Sequence, residues 1–324
     1  MSRIGGAALV WPFTGHAQAP ARTPRIGVLM STAEGDSEGQ ARVATLMQAL
    51  QALGWTDGRN IRIDLRWGAG DAKQAQVLAA ELVGLAPDLI LANAGQALKA
   101  VQGATRTIPI VFVQVNNPVE GGFVANLAHP GGNITGFTSF EDAMGAKWLQ
   151  LLREIVPRIA RVALVQNAGQ TSGTARMLPA IEAAARSMGV QLTTMAVVDG
   201  AEIDRAYARF AHEQVGGVIV LPDPLFTVHR DRLIAAAARN RTPTVYYFRF
   251  FATSGGLISY GPHTTDIYER AAAYADRILK GAKPGDLPVQ QPTRFELVIN
   301  NKTARAQGLP IPQSLLLRAD EVIQ

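Results

Sequence analysis

The amino-acid sequence predicts an α/β protein built from two doubly wound lobes that several chain segments join. From residue 24 onward, short apolar segments with strand character alternate with segments whose apolar residues recur at helical spacing, and this alternation occurs twice. Residues 281–324 then form a further, largely extended stretch. A single core rarely needs such a return segment, whereas a chain that crosses between two lobes does.

The first set of strands and helices occupies residues 25–137. Its second strand has a clear pattern, because apolar residues alternate with charged ones, as in a half-exposed strand. Helices are predicted at residues 43–53, 72–85 and 119–128, with a further helix between residues 92 and 109. The predicted strands are residues 25–30, 61–67, 88–92, 109–115 and 134–137.

The second set begins with a helix that carries Trp148 and Ile155 on its apolar face and that Pro157 ends. Compact apolar segments with helical segments between them follow, which again indicates a parallel sheet. The predicted strands are residues 161–165, 190–197, 217–221 and 244–247.

The C-terminal stretch contains a helix end followed by extended chain. Lys280 and Gly281 end the helix with a cation and with a residue that tolerates the left-handed cap. A strand is predicted at residues 295–300 and a short helix at 303–307, which Gly308 closes. Prolines on both sides keep the rest of this stretch extended.

Several stretches of the chain resemble a known family, namely residues 58–61 (GRNI), 88–90 (DLI), 127–136 (LAHPGGNITG), 255–261 (GGLISYG) and 281–324. They resemble the ABC transporter substrate-binding proteins of the tryptophan/tyrosine type, and the resemblance spans nearly all of residues 24–324. It implies the type I periplasmic binding fold, in which a multi-strand hinge joins two Rossmann-like lobes. The implied first lobe is residues 24–138 plus 253–290, and the implied second lobe is residues 139–252 plus 291–324.

Composition excludes several classes of site. The net charge of +5 is spread over the 324 residues without a block of Lys and Arg, so no nucleic-acid partner is expected. The absence of cysteine excludes disulfides, thiolate metal sites and cysteine nucleophiles. The five histidines lack metal-site spacing, and the sequence has no P-loop, dinucleotide fingerprint or G-x-S-x-G motif. The sequence therefore predicts no metal, no cofactor and no catalytic residues.

The N-terminus has the pattern of a secretory signal peptide. Arg3 precedes an apolar run at residues 4–13, and small residues offer cleavage sites after Ala17 and Ala19. The segment is similar to the family's twin-arginine leaders, although only one arginine, Arg3, precedes its apolar run. We assign residues 1–23 to the leader and expect the mature protein in the periplasm; the alternative is a disordered N-terminal tail.

Candidate ligand-binding residues follow the predicted strands, because open parallel sheets bind ligands beyond the carboxyl ends of their strands. These residues are mostly amides, hydroxyls and aromatics, which suit a small polar ligand with an amino or hydroxyl group and an apolar or aromatic body. Asp223 is a candidate partner for an ammonium group, and Ser31, Asn93 or a helix N-terminus for a carboxylate. Such residues also commonly cap helices, so the prediction depends on their convergence. The candidates are Ser31, Thr32, Asn93, Gln96, Asn117, Thr138, Phe140, Asn167, Asp223 and Tyr246.

These observations favour a monomeric periplasmic solute-binding protein that captures an amino acid, or an aromatic amino-acid-like ligand, between its lobes and delivers it to a membrane ABC permease. The predicted hinge consists of residues 290–294, 138–139 and 250–255, and closure is a population shift driven by ligand contacts. Two alternatives stay open. A ligand sensor for a membrane receptor would lack a neighbouring permease gene, and an enzyme on the same scaffold would turn its ligand over.

Overall fold

The computed structural model of the protein describes residues 22–169, 174, 176–213 and 215–324. The predicted leader and both of its cleavage sites therefore lie outside the described residues, apart from residues 22–23. Within the described ranges, no helix is both long enough and apolar enough to cross a membrane.

Strands and helices alternate along the described chain. The strands are β1 (Arg25–Met30), β2 (Arg62–Trp67), β3 (Leu89–Asn93), β4 (Ile110–Val113), β5 (Ile134–Phe137), β6 (Arg161–Asn167), β7 (Gln191–Val197), β8 (Gly217–Val220), β9 (Thr244–Tyr246), β10 (Ile258–Pro262), β11 (Phe295–Asn300) and β12 (Glu321–Ile323). The helices are α1 (Ser37–Ala52), α2 (Ala72–Gly84), α3 (Ala94–Ala104), α4 (Met144–Ile155), α5 (Met177–Met188), α6 (Gly200–His212), α7 (Pro224–Val228), α8 (Arg230–Arg239), α9 (Arg249–Thr253), α10 (Thr264–Leu279), α11 (Asn301–Gln307) and α12 (Gln313–Leu316).

The first lobe is a parallel sheet in the order β2-β1-β3-β4-β5. Helices α1 and α10 pack on one face around a core that includes Leu46 and Tyr268, and α2 and α3 pack on the other around Leu82 and Leu98. The strand order reverses beside β1, and such a switch point opens a crevice at the carboxyl ends of the strands.

The second lobe contains a sheet in the order β12-β11-β10-β9-β8-β6-β7. Its pairs are parallel except for the antiparallel pair of β10 and β11. Trp148, Tyr207 and Phe226 are fully buried in its core. Both lobes are therefore doubly wound, and the predicted fold class is confirmed.

Strand β10 lies in a different lobe from the one that the sequence suggested. Residues 253–262 were expected in the first lobe, but β10 pairs in parallel with β9, with Ile258 opposite Val245, and continues the second sheet. The chain crosses to the first lobe only at His263, between β10 and α10. The crossing thus falls about one strand later than predicted.

Three connections join the lobes: residues 138–143, His263 and residues 288–294. Two of them are paired with each other, because the Thr138 backbone N–H donates to the Gln290 carbonyl at 2.9 Å. Residues 250–255, which were expected in the hinge, mostly belong to α9, and Phe250 and Phe251 are buried in the second core. That part of the hinge prediction is wrong, because the segment is packed rather than connecting.

Candidate ligand-binding site

A cavity lies between the two lobes, at the carboxyl ends of their strands. The lining residues follow β1, β3, β4 and β5 in the first lobe and β8 and β9 in the second, with Arg42 added from α1. They are Ser31, Thr32, Arg42, Asn93, Ala94, Gln114, Asn116, Ser139, Phe140, Pro222, Asp223, Pro224, Thr227, Tyr247 and Phe248.

A hydrogen-bonded chain of side chains forms the first lobe's wall. The Ser31 hydroxyl donates to Asn93 Oδ1 at 2.7 Å, and Asn93 Nδ2 donates to Gln114 Oε1 at 2.8 Å. The chain fixes the orientation of both amides, because the Asn93 oxygen accepts from Ser31 and the Gln114 oxygen accepts from Asn93. Gln114 Nε2 is consequently left as a buried donor without a protein partner.

Arg42 supplies a buried cation to the same wall. Its side chain projects from α1, the residue is 4% exposed, and its guanidinium lies 5.5 Å from the ring centre of Phe248 and 5.8 Å from that of Phe250. Both rings belong to the second lobe, so these cation–π contacts cross the cleft. The guanidinium also lies beside Tyr268, whose pKa burial raises to about 12, so this phenol stays neutral.

Asp223 is the carboxylate in the cavity lining, at the carboxyl end of β8. Its Oδ1 accepts from Asn167 Nδ2 at 2.9 Å and from the Leu225 backbone N–H at 2.8 Å, so it also caps α7. Burial raises the pKa of the Asp223 carboxyl, and the two hydrogen bonds oppose this shift in part. The Tyr247 hydroxyl donates to the Asp223 carbonyl at 2.9 Å and holds the loop in place.

An aromatic cluster forms the apolar side of the cavity. The ring of Phe140 lies 5.9 Å from that of Tyr247 and 5.4 Å from that of Phe248, measured between ring centres. Tyr247 and Phe248 are themselves 4.9 Å apart. These rings offer an apolar surface to the body of a ligand.

Several buried polar atoms of the lining have no hydrogen-bond partner among the described residues, namely Thr32 Oγ1, Arg42 Nε and Nη2, Gln114 Nε2, Asn116 Oδ1 and Ser139 Oγ. Each buried polar group without a partner costs roughly 1–3 kcal/mol, and more when it is charged. Five such side chains around one cavity indicate that the cavity is built for a polar molecule. In the described part of the chain, no cluster of three or more His, Asp or Glu side chains could hold a metal ion.

Two ion pairs join the lobes across the cleft. The Arg230 guanidinium of α8 donates to Asp36, the N-cap of α1, and both side chains are largely buried. Arg176 in the second lobe pairs with Glu120 in the first at 2.7 Å, at the surface. These contacts join the two lobes, so the described arrangement is a closed one.

The ten residues predicted from the sequence are divided among the cavity, its surroundings and the core. Those that line the cavity are Ser31, Thr32, Asn93, Phe140 and Asp223. Asn167 binds Asp223 from behind, while Gln96 and Asn117 line an adjoining groove. Thr138 is buried at the hinge, where its backbone pairs with the 288–294 connection.

Tyr246 does not line the cavity, contrary to the prediction. It is fully buried and stacks on Phe251 with ring centres 4.8 Å apart, inside the second core. Its neighbour Tyr247 faces the cavity instead. Successive side chains of a strand point to opposite faces, so an error of one position exchanges core and cleft.

Sequence reasoning missed Arg42, Gln114, Thr227 and Phe248 as lining residues. Arg42 carried a detectable signal, because it occupies the buried stripe of α1 together with Gly39, Val43 and Leu46. A lone arginine on an apolar helix face is either paired or functional. Gln114 directly follows β4, where the prediction considered only the later asparagines.

Two doubly wound lobes with a cavity between them define a bilobal binding protein of the type I periplasmic binding fold. The sequence matches the family described as ABC transporter substrate binding protein over residues 26–323, and the chain belongs to this family. The family consists of substrate-binding proteins, and this chain is accordingly a binding protein rather than an enzyme.

The chain is similar to proteins of several bacteria. A tyrosine-binding protein of Clostridioides difficile (strain R20291) is 26% identical over 281 residues, which are 85% of this chain and 79% of that protein. A conserved domain protein of Vibrio cholerae superposes with a TM-score of 0.86 at 28% identity and covers 93% of this chain and 100% of its own. The ABC domain from Streptococcus pneumonia in complex with L-Trp superposes with a TM-score of 0.85 at 24% identity, with the same coverage.

Proposed function

We propose that this protein is a periplasmic receptor that captures an amino-acid-like ligand between its lobes and delivers it to a membrane ABC permease. The observation that carries the proposal is the set of buried, unpartnered polar atoms around the interlobe cavity. A ligand that supplies the missing hydrogen bonds removes their cost.

The lining chemistry supports an amino acid with an apolar or aromatic body. Asp223 offers a carboxylate to an ammonium group, and the cluster of Phe140, Tyr247 and Phe248 offers an apolar wall. Relatives whose names refer to tyrosine and L-Trp support the same class. A micromolar affinity corresponds to about −8 kcal/mol, which a few charged hydrogen bonds and an aromatic contact can provide.

Closure couples binding to transport in this proposal. The Arg230–Asp36 and Arg176–Glu120 pairs join the lobes in the closed arrangement, as do the contacts of Arg42 with the rings of the second lobe. A ligand that contacts both lobes shifts the population toward this form. The closed monomer then presents both lobe surfaces together, which a permease can distinguish from the open form.

The direct test is native mass spectrometry of the protein purified from its own host, followed by calorimetry with the molecule found. We expect a co-purified amino acid or close analogue that binds with one-to-one stoichiometry. Loss of uptake of that molecule in a strain that lacks the protein would support transport. Normal uptake with loss of a transcriptional response would favour the sensor alternative instead.

Export is tested separately. If residues 1–23 are a signal peptide, N-terminal sequencing of the protein from a periplasmic extract should begin near Gln18 or Pro20. An intact Met1 on protein from the cytoplasmic fraction would contradict the periplasmic location.

A further inference from the structure

We infer that Arg42 binds a carboxylate group of the ligand through the Nε–Nη2 edge of its guanidinium, so that an acid group is obligatory in the ligand. The inference deepens the proposed function and rests on it, because it assigns a ligand group and a binding residue to the same cavity. No acid partner for Arg42 is among the ion pairs of the described residues.

The open edge of Arg42 has the shape of a carboxylate site. Nε and Nη2 are the two nitrogens whose N–H bonds run parallel along one side of the guanidinium, and both are buried without a partner. A carboxylate accepts these two parallel bonds at once, which is the strongest and most specific arrangement that arginine makes. The free atoms are thus one complete binding edge rather than two scattered donors.

The contacts that Arg42 makes with Phe248 and Phe250 do not compete for this edge. Phe248 and Phe250 lie over the guanidinium at 5.5 and 5.8 Å, and cation–π contacts use its flat face. The edge therefore stays available while the face holds the second lobe. An acid group on the edge and the two rings on the face would contact the same guanidinium, which links ligand capture to the closed arrangement.

Neighbouring groups favour a carboxylate over a bulkier anion. Gln114 Nε2 is a second unpartnered donor in the cavity lining, and Thr32 contributes a hydroxyl. Arg42 is the one Arg or Lys among the lining residues, which matches a single negative charge. Asp223 lies across the cleft and carries the opposite charge. Its hydrogen bonds from Asn167 and from the Leu225 N–H both go to Oδ1, so its other oxygen can face an ammonium group. An amino acid would consequently direct its carboxylate to the first lobe and its ammonium group to the second.

The test uses calorimetry with L-tyrosine and L-tryptophan, each compared with its amide, in which a neutral carboxamide replaces the carboxylate. We expect the wild-type protein to bind at least one acid and to bind the matching amide about 30-fold more weakly or worse. Equal affinity for an acid and its amide would overturn the inference while leaving the proposed function intact.

Variants of Arg42 provide the second arm. Arg42→Lys keeps the charge but loses the edge with two parallel N–H donors, and Arg42→Met keeps the approximate length of the side chain without its charge. Both variants should bind the acid about 30-fold more weakly or worse. Arg66→Met is the matched control, since Arg66 lies in the first lobe, pairs with Glu81 at 3.1 Å and does not line the cavity. Binding by Arg42→Lys within threefold of wild type would overturn the inference.

Melting of the ligand-free variants separates binding from folding. A buried, unpaired cation is costly, so we expect Arg42→Met without ligand to melt no lower than wild type.

If neither acid binds the wild-type protein, the molecule released in native mass spectrometry decides the matter. An acid supports the inference, whereas a molecule without an acid group overturns the inference but not the proposed function. Release of no molecule would contradict the proposed function and the inference together.

Discussion

Asp223 is the residue whose charge most directly tests the second lobe's role in binding. Asp223→Asn keeps an acceptor for the Leu225 N–H, so α7 stays capped, but removes the charge that an ammonium group would meet. We expect affinity for the ligand to fall by about 2–5 kcal/mol, measured by calorimetry at neutral pH, with little change in melting. An unchanged affinity would place the ammonium group elsewhere.

The pH dependence of the same residue gives an independent prediction. Because burial raises the pKa of Asp223, the carboxyl becomes protonated at a higher pH than an ordinary aspartate does. Affinity for an ammonium ligand should therefore weaken as the pH falls through that raised pKa, and the Asp223→Asn variant should lack this step. For the ligand-free protein the sign is opposite: the stability that protonated Asp223 contributes is lost as the pH rises through its pKa.

At the residue scale, the sequence predicted the polar residues that directly follow strands, since strand ends converge in any parallel sheet. It missed Arg42, because that residue reaches the cavity from within helix α1 and not from the end of a strand. The sequence also selected Tyr246 in place of Tyr247. The last residue of β9 depends on the pairing of this strand with β8 and β10, which the local sequence does not reveal. Local pattern thus located the edge of the sheet but not each side chain on it.

Strand β10 depends on a glycine at its end. A Cβ on Gly261 would lie 1.7 Å from the Tyr247 carbonyl oxygen, which is backbone and cannot rotate away. Gly261→Ala should therefore displace the loop that carries Tyr247, lower stability by about 1–3 kcal/mol and weaken ligand binding. Chemical denaturation and calorimetry would measure both effects.

Gly103→Ala is the matched control, because Gly103 is exposed on α3 and a Cβ there has open space. It should be neutral or slightly stabilising, since alanine is the better helix former. Wild-type stability in the Gly261→Ala variant would show that the two backbones can separate at little cost.

The Arg230–Asp36 pair acts between elements, since it joins α8 of the second lobe to the start of α1 in the first. Arg230→Met should lower ligand affinity by destabilising the closed form. It should not lower the melting temperature of the ligand-free protein, because the pair lies outside the core of either lobe. Arg239→Met is the control, because Arg239 pairs with Asp204 at 2.6 Å within the second lobe. Equal affinities for both variants would indicate that the interlobe pair does not stabilise closure.

The sequence predicted which strands and helices form, but it did not predict which strands pair with each other. The alternating segments became β1 to β9 with shifts of one or two residues, because periodicity is local information. The lobe that receives β10 is set by pairing with a strand distant in sequence. The helix expected at residues 119–128 is a series of turns, in which Gly121 and Gly122 interrupt helical geometry and Gly122 has φ +68°.

For the whole molecule, the three connections between the lobes decide how it can move. Residues 138–143 and 288–294 are bonded to each other through Thr138 and Gln290, and His263 forms the third connection. Such short connections absorb changes in backbone angle while the lobes move as bodies. The contacts that oppose opening are the interlobe ion pairs and the Arg42–ring contacts, together with whatever ligand fills the cavity.

Small-angle X-ray scattering with and without the ligand identified by native mass spectrometry tests the central claim most directly. A receptor that closes around its ligand should show a smaller radius of gyration at saturating ligand. The Arg230→Met variant should need a higher ligand concentration to reach the same radius of gyration. Free and saturated proteins with the same radius of gyration would contradict closure and would indicate a preformed, rigid pocket.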